Sequence, residues 1–279
     1  MTPLFLSDVD GTLYQDGKID PLDAAAVQKW LQAGHAFGLV TGRSASFCED
    51  LAAQYGFSCQ VLVCDNGARV MENGEVISEA LLPADRVLSA LRALMPFCGR
   101  LLPFVTWTDG HHYFPQKLYG QDAWRCLQTE QAHLTWFGQE DLETLLACHK
   151  AVPGISLYVR DEACIDSLLD EIRSLCPDLL WHKTSHDYIE ASARDKADAL
   201  KRLLPETAYG PVFFAGDGSN DIPVFDLLKN TYVMNRADES VKAHSLCCCE
   251  SVAQAIERSF EYVEKTEKES GSHGRQSCD

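Results

Sequence analysis

The chain has 279 residues, 46% of them apolar, which is long for one domain, comfortable for two and enough to fill sizeable cores. Its net charge of −17, from 41 acidic and 24 basic side chains, disfavours partners such as nucleic acid or an anionic membrane, which need a basic face. No stretch approaches the ~20 apolar residues of a membrane span, and Asp8 and Asp10 cut off an opening apolar run that has no basic flank, so no signal peptide is expected.

Residues 3–9 read as a buried strand. Asp20 and Pro21 then make a helix start, an N-cap candidate followed by proline at the first helical position, with Leu22, Val27 and Leu31 at helical spacing up to Gly34. A strand over 36–41, a helix over 44–55 and a strand over 60–65 follow, the alternation of a parallel sheet wound with helices. Asn73-Gly74 supplies the turn of a hairpin across 70–77.

Residues 81–187 differ in pattern. Helical stretches (84–95, 139–149, 161–176) mix with strand-like runs (101–108, 112–115, 155–159, 179–183), which suggests an α+β unit with an antiparallel sheet. From residue 188 the first pattern resumes, with a short strand over 188–191, a helix over 195–204 and an intensely apolar strand over 212–215. Helix, strand and helix then carry the chain to about Tyr262. The expected organisation is an α/β unit, a doubly wound parallel sheet built from residues 1–80 and 188–262, interrupted by a smaller unit over 81–187. Residues 263–279, mostly Glu, Lys, Ser and Gly, are expected to be a disordered tail. Twelve cysteines with neither a CxxC pair nor zinc-type Cys/His spacing read as thiols in a reducing compartment, the cytoplasm. Cys247, Cys248 and Cys249 make a poor ligand set, because neighbours in a strand point to opposite faces.

Four places carry chemistry. Asp8-Val9-Asp10-Gly11-Thr12-Leu13 closes the first strand, and ligands of open parallel sheets bind at the carboxyl ends of strands. Of its two carboxylates, one suits metal binding and attack, the other proton handling, while Gly11 lets the backbone turn tightly. Thr41-Gly42-Arg43-Ser44 ends the second strand at a helix entry, where a hydroxyl can meet phosphate. Arg43 can touch phosphate, but a salt bridge or packing beside the helix start suits it at least as well. Lys196 opens a helix; a lysine in an acidic protein is usually solvated, as Lys201 reads, and only the company of the other motifs singles out Lys196. Gly216-Asp217-Gly218-Ser219-Asn220-Asp221 follows the apolar strand, with two acids placed to converge on one hard cation.

At these four places the sequence resembles the haloacid dehalogenase (HAD) superfamily, and most of all its Cof-type, subclass IIB branch of phosphatases. The resemblance runs to about Tyr262 and includes Cys64-Asp65-Asn66-Gly67-Ala68 and the segment from Asn230 to Ala237. Departures are Val224, Arg194-Asp195 before Lys196, and Cys247 to Cys249. The resemblance implies a Rossmann-like core with an inserted α/β cap and a magnesium-dependent phosphomonoester hydrolase of small phosphorylated metabolites, sugar phosphates among them. Asp8 would attack phosphorus and form an aspartyl phosphate, and Asp10 would protonate the leaving oxygen and then deprotonate water. Thr41, Gly42, Lys196 and Asn220 would contact phosphate, Asn220 alternatively orienting its neighbours. Mg2+ would be held by Asp8, the backbone carbonyl of Asp10, Asp217 and, directly or through water, Asp221. Trp107, His111, His112 and Trp124 are cap residues better read as core or surface than as ligands. Two other readings stand beside this one: a phosphotransferase or mutase similar to phosphomannomutase, disfavoured by the tight spacing from Gly216 to Asp221, and a non-catalytic phosphometabolite sensor on the same scaffold.

Overall fold

The computed structural model describes residues 1–107, 111–130, 142–148, 151–206 and 209–273. In chain order its main strands are β1 (Thr2–Ser7), β2 (Ala36–Val40), β3 (Val61–Cys64), β4 (Arg69–Glu72), β5 (Glu75–Glu79), β6 (Leu101–Thr106), β7 (His112–Tyr113), β8 (Gly154–Val159), β9 (Leu180–Lys183), β10 (Tyr188–Ser192), β11 (Tyr209–Gly216), β12 (Asn230–Met234) and β13 (Cys247–Cys249). Eight of them form one sheet in the order β13-β12-β11-β1-β2-β3-β4-β5. It is parallel from β13 to β3, and the hairpin β4-β5 closes one edge antiparallel.

The period of a strand explains why this sheet is covered on both faces. Phe5, Phe37, Leu39 and Phe213 point to one side, where helices Pro21–Gln32, Ala45–Tyr55 and Val252–His273 pack. Leu4, Leu6, Val40 and Phe214 point to the other, against helices Lys196–Leu203 and Ile222–Leu227. Trp30 locks the first layer. It is fully buried, donates its ring N–H to the Ala36 carbonyl at 2.8 Å, and meets Phe5, Phe213 and Phe260 edge-on.

A second sheet, β7-β6-β8-β10-β9, is antiparallel throughout. Helices Ala84–Leu94, Leu142–Cys148 and Ile165–Leu175 cover one face through Val87, Leu91, Leu146 and Leu168, against Val105, Ile155, Leu157 and Ile189. On the opposite face Leu102, Phe104, Tyr158 and Tyr188 meet Phe114 and helix Gln116–Glu130, which breaks at Gly120.

The structure differs from the sequence expectation in three places. The segment over 188–191 does not rejoin the parallel sheet; it is β10, paired on both sides in the second one. Its alternation of Tyr188, Glu190 and Ser192 with Ile189 and Ala191 is that of a strand apolar on one face, unlike the continuous apolar runs of the parallel strands. Residues 263–273, expected to be disordered, continue the last helix. Val263 is buried against the first layer, and the Thr266 hydroxyl donates to the Val263 carbonyl at 2.8 Å; residues 274–279 lie outside the described residues. Helix Gln116–Glu130 had no counterpart in the sequence reading, because polar side chains are frequent along it and Gly120 interrupts its periodicity. The helical stretch expected over 139–149 is described only at Leu142–Cys148.

Trp30→Ala is expected to destabilise the protein by about 3–5 kcal/mol, through the lost aromatic contacts and the cavity left between helix and sheet. Urea denaturation followed by circular dichroism measures this, and a loss below 1 kcal/mol would mean that Trp30 does not lock the layer.

Candidate active site

Strand order reverses at β1, with β2 and β3 on one side and β11 and β12 on the other, which opens a crevice at the carboxyl ends of the strands. Asp8 follows the last residue of β1, is 6% exposed, and its N–H donates to the Ala215 carbonyl of β11 at 2.8 Å. Gly11 turns the chain back with φ +79°, and a side chain there would collide with the Asp217 carboxylate. That close approach lets the Thr12 hydroxyl donate to Asp217 Oδ1 at 2.7 Å.

Lys196 enters from the opposite layer. Its helix begins at an Asp195 N-cap, whose side chain accepts from the Asp198 N–H, and this aims the first side chain at the strand ends. The ammonium is fully buried and donates to Asp8 Oδ1 and Asp221 Oδ1, both at 2.7 Å. Asp221 Oδ2 accepts the backbone N–H groups of Asp217 and Gly218, both at 3.0 Å. One buried carboxylate therefore braces the lysine and shapes the loop that carries Asp217.

Donor atoms of Asp8, Asp217 and Asp221 lie within 4.8 Å of one another. Burial drives the Asp8 carboxyl well above its ordinary value, with Lys196 opposing and the other two acids reinforcing the rise. Burial likewise lifts Asp217 to about 6, with Asp221 adding to it and the Thr12 hydrogen bond opposing. At Lys196 burial favours loss of the proton, but Asp221 and Asp8 outweigh it and hold the ammonium above the ordinary lysine range. Three carboxylates facing one ammonium carry an excess of negative charge, and an all-oxygen set of this kind fits a hard divalent cation.

Asp10 lies apart from this acidic group. Arg43 grips it with two hydrogen bonds of 2.8 Å, from Nε and Nη2, and stacks over Phe47. Of the uses the sequence left open for Arg43, the structure shows the salt bridge and the packing beside the helix start. Thr41 is buried just beyond β2, and its Oγ1 accepts the Arg43 N–H at 3.1 Å. A Cβ at Gly42 would press on Glu190 Oε2 at 2.9 Å and on Asn66 Nδ2 at 3.0 Å. Asn220 donates to Asn66 Oδ1 at 3.2 Å. The strand ends thus gather Asp8, Lys196, Asp217 and Asp221 into one cluster, while Asp10, Thr41, Gly42 and Asn220 stand in the loops at the same edge.

Sequence reasoning missed several neighbours. Arg236, just beyond β12, donates to the Thr12 carbonyl at 3.2 Å and contributes positive charge beside Asp217. Glu190 and Ser156 come from the second sheet, and nothing in their local sequence marks them. Trp107, His112 and Trp124 pack against aromatic neighbours there: Trp107 with Tyr113, His112 with Phe104, Trp124 with Phe114.

A family model described as haloacid dehalogenase-like hydrolase matches residues 5–256. The chain belongs to that family. Solved structures of similar fold include the HAD phosphatase BT1666 from Bacteroides thetaiotaomicron (TM-score 0.75, 18% identity, 94% of this chain and 95% of that one). A HAD subclass IIB sugar phosphatase, BT4131, gives 0.70 and 17%, covering 94% and 99%. A haloacid dehalogenase-like hydrolase from B. subtilis gives 0.73 and 16%, covering 92% and 99%. No curated protein matches the chain. As a HAD-like hydrolase it is an enzyme, and no helix among the described residues is long and apolar enough to cross a membrane.

The raised value of Asp217 fixes the sign of one pH effect. Folded Asp217 binds its proton more tightly than the unfolded chain does. Its contribution to stability is therefore complete below the ordinary value of 3.8 and lost as pH rises through about 6. In chelator-treated protein, the stability difference between wild type and Asp217→Asn should fall across that window, as measured by urea denaturation at stepped pH. A difference independent of pH would refute the assignment.

Proposed function

We propose that this HAD-like hydrolase is a magnesium-dependent phosphatase of small phosphorylated metabolites, with sugar phosphates the leading class, acting through an aspartyl phosphate on Asp8. The observation that carries this reading is the Asp8 carboxylate at the end of the central strand, bound to Lys196 at 2.7 Å and clustered with Asp217 and Asp221. The fold shared with a phosphatase and a sugar phosphatase supports it.

Lys196 occupies Oδ1 of Asp8, which leaves Oδ2 as the attacking atom. A carboxylate approaching a phosphate dianion meets like-charge repulsion, and Mg2+ bound by Asp8, Asp217 and the Asp10 carbonyl would supply the charge that offsets it. Asp221 already accepts three hydrogen bonds, so its part is to brace Lys196 and to support the metal from behind. Thr41, Gly42 and Lys196 hold the phosphoryl oxygens, and Asn220 stands beside them. A phosphate in that loop competes with Asp10 for the Arg43 guanidinium and releases Asp10 for proton transfer. Asp10, having taken up a proton from solvent once Arg43 has turned to the phosphate, gives that proton to the leaving oxygen as Asp8 Oδ2 bonds to phosphorus and the phosphorus–oxygen ester bond breaks. In the second half, Asp10 takes a proton from water as the water oxygen attacks phosphorus, so inorganic phosphate leaves and the Asp8 carboxylate returns. The second sheet serves as the cap, closing over the site and selecting the leaving group.

A panel of phosphorylated metabolites assayed for free phosphate tests this reading. Turnover should require Mg2+, vanish with EDTA, fall at least about 10³-fold in Asp8→Asn and about 10²–10⁴-fold in Asp10→Asn. Full turnover in EDTA, or a relocated phosphoryl group in place of free phosphate, would overturn it; the latter outcome is that of a mutase.

A further inference from the structure

Glu190 has contacts that the proposed chemistry does not use. It stands on β10, opposite Ser156 of β8 and His182 of β9, on the polar side of a strand whose Ile189 and Ala191 fill the apolar cluster. Its Oε1 accepts from the Ser156 hydroxyl at 3.0 Å, and its Oε2 accepts from Asn66 Nδ2 at 2.5 Å. Asn66 lies in the turn after β3 with φ +52°, a left-handed conformation that asparagine tolerates better than most residues. Its Oδ1 in turn accepts from Asn220 Nδ2 at 3.2 Å. Three side chains from distant segments thus make one row of hydrogen bonds, from the second sheet to the loop of Asp217 and Asp221.

The row has a direction that chemistry imposes. Both carboxylate oxygens of Glu190 are acceptors, Oε1 from Ser156 and Oε2 from Asn66, so Asn66 turns its NH2 group to Glu190 and its carbonyl to Asn220. Asn220 must then turn its own NH2 to Asn66, which leaves Asn220 Oδ1 beside Gly218, where a Cβ would collide with it. Without the carboxylate an amide has two nearly isosteric orientations. The backbone of the turn does not depend on Glu190, because the buried Arg194 donates to the Gly67 and Ala68 carbonyls and to Ser78. The position of the turn and the orientation of its amide are therefore held by different residues. Gly42 completes the case, since the absence of a side chain there lets Glu190 and Asn66 lie directly against the loop of Thr41.

We propose that Glu190 is a positioning residue that sets the polarity of the Asn66–Asn220 amide pair, so that docking of the second sheet fixes which atom Asn220 presents at the site. The role of Asn220 toward phosphate rests on the phosphatase reading above; the polarity of the relay does not.

The test uses the full-length, 15N-labelled protein, with the side-chain NH2 signals of Asn66 and Asn220 assigned from Asn66→Asp and Asn220→Asp variants. Glu190→Ala should shift the Asn220 signal and hasten its exchange with water, although Asn220 does not touch Glu190. Glu190→Met, which fills the space without an acceptor, should do the same, and serves if the alanine variant does not fold. Glu190→Gln should leave the signal between those of the wild type and Glu190→Met, because its own amide can turn either its carbonyl or its NH2 to Asn66 and the Ser156 hydroxyl can match both. In kinetics, Glu190→Ala should lower kcat about 10- to 100-fold, and the double variant with Asn220→Ala should be no slower than Asn220→Ala alone. An Asn220 signal unmoved in both Glu190→Ala and Glu190→Met, or losses that multiply in the double variant, would overturn the proposal. If the wild type turned over no phosphate ester, the phosphatase reading would fail, and the amide signals would still decide the relay.

Discussion

A buried ammonium held between two carboxylates is the interaction on which the rest of the site depends. Lys196, Asp8 and Asp221 come from three separate parts of the chain and meet at 2.7 Å contacts with almost no access to water. Removing such groups from solvent is costly, and only close pairing with further hydrogen bonds offsets the cost. The structure supplies those bonds: Asp221 also accepts two backbone N–H groups, and Asp217 is tied to Thr12. The balance is deliberately incomplete in charge, because three acids face one lysine. Burial, reinforced by the neighbouring acids, raises Asp8 and Asp217, and the three carboxylates form an all-oxygen group that could hold a hard cation.

The sheet makes this meeting possible. β1 lies between β11 and β2, so the residues after β1 and β11 emerge side by side, and the helix carrying Lys196 packs under them on one face. A continuous apolar sheet fixes where each strand ends, and thereby fixes the loops that follow. Asp8 and Asp217 owe their closeness to strand register, not to proximity in sequence. Gly11 then removes the one side chain that would stand between the two loops.

The second sheet reaches the same edge through few but directional contacts. Ser219 donates to the Lys183 carbonyl, and Glu190 accepts from Asn66. Arg194, two residues before Lys196, anchors the turn that carries Asn66 from the other side. The return segment from the second sheet thus contacts the turn of Asn66 through Glu190 and Arg194 and leads directly into Lys196.

Much of this was legible from residue pattern alone. Apolar runs ending in Asp8, Thr41 and Gly216 announced parallel strands and marked their carboxyl ends, because strand period and turn chemistry are local properties. Acids and glycines at fixed short spacing were readable for the same reason, and so was the resemblance to HAD hydrolases that the family match bears out. The placement of β10, the helical order of residues 263–273, the choice of Asp10 as the partner of Arg43 and the Glu190–Asn66–Asn220 row were not legible. Each of these depends on which surface packs against which, and on side chains far apart in the chain meeting in a dry site. The sequence by itself determined where the strands end and which reactive groups stand there. Only the tertiary structure decided their partners, because burial and hydrogen-bond direction arise when the two sheets and their helices come together.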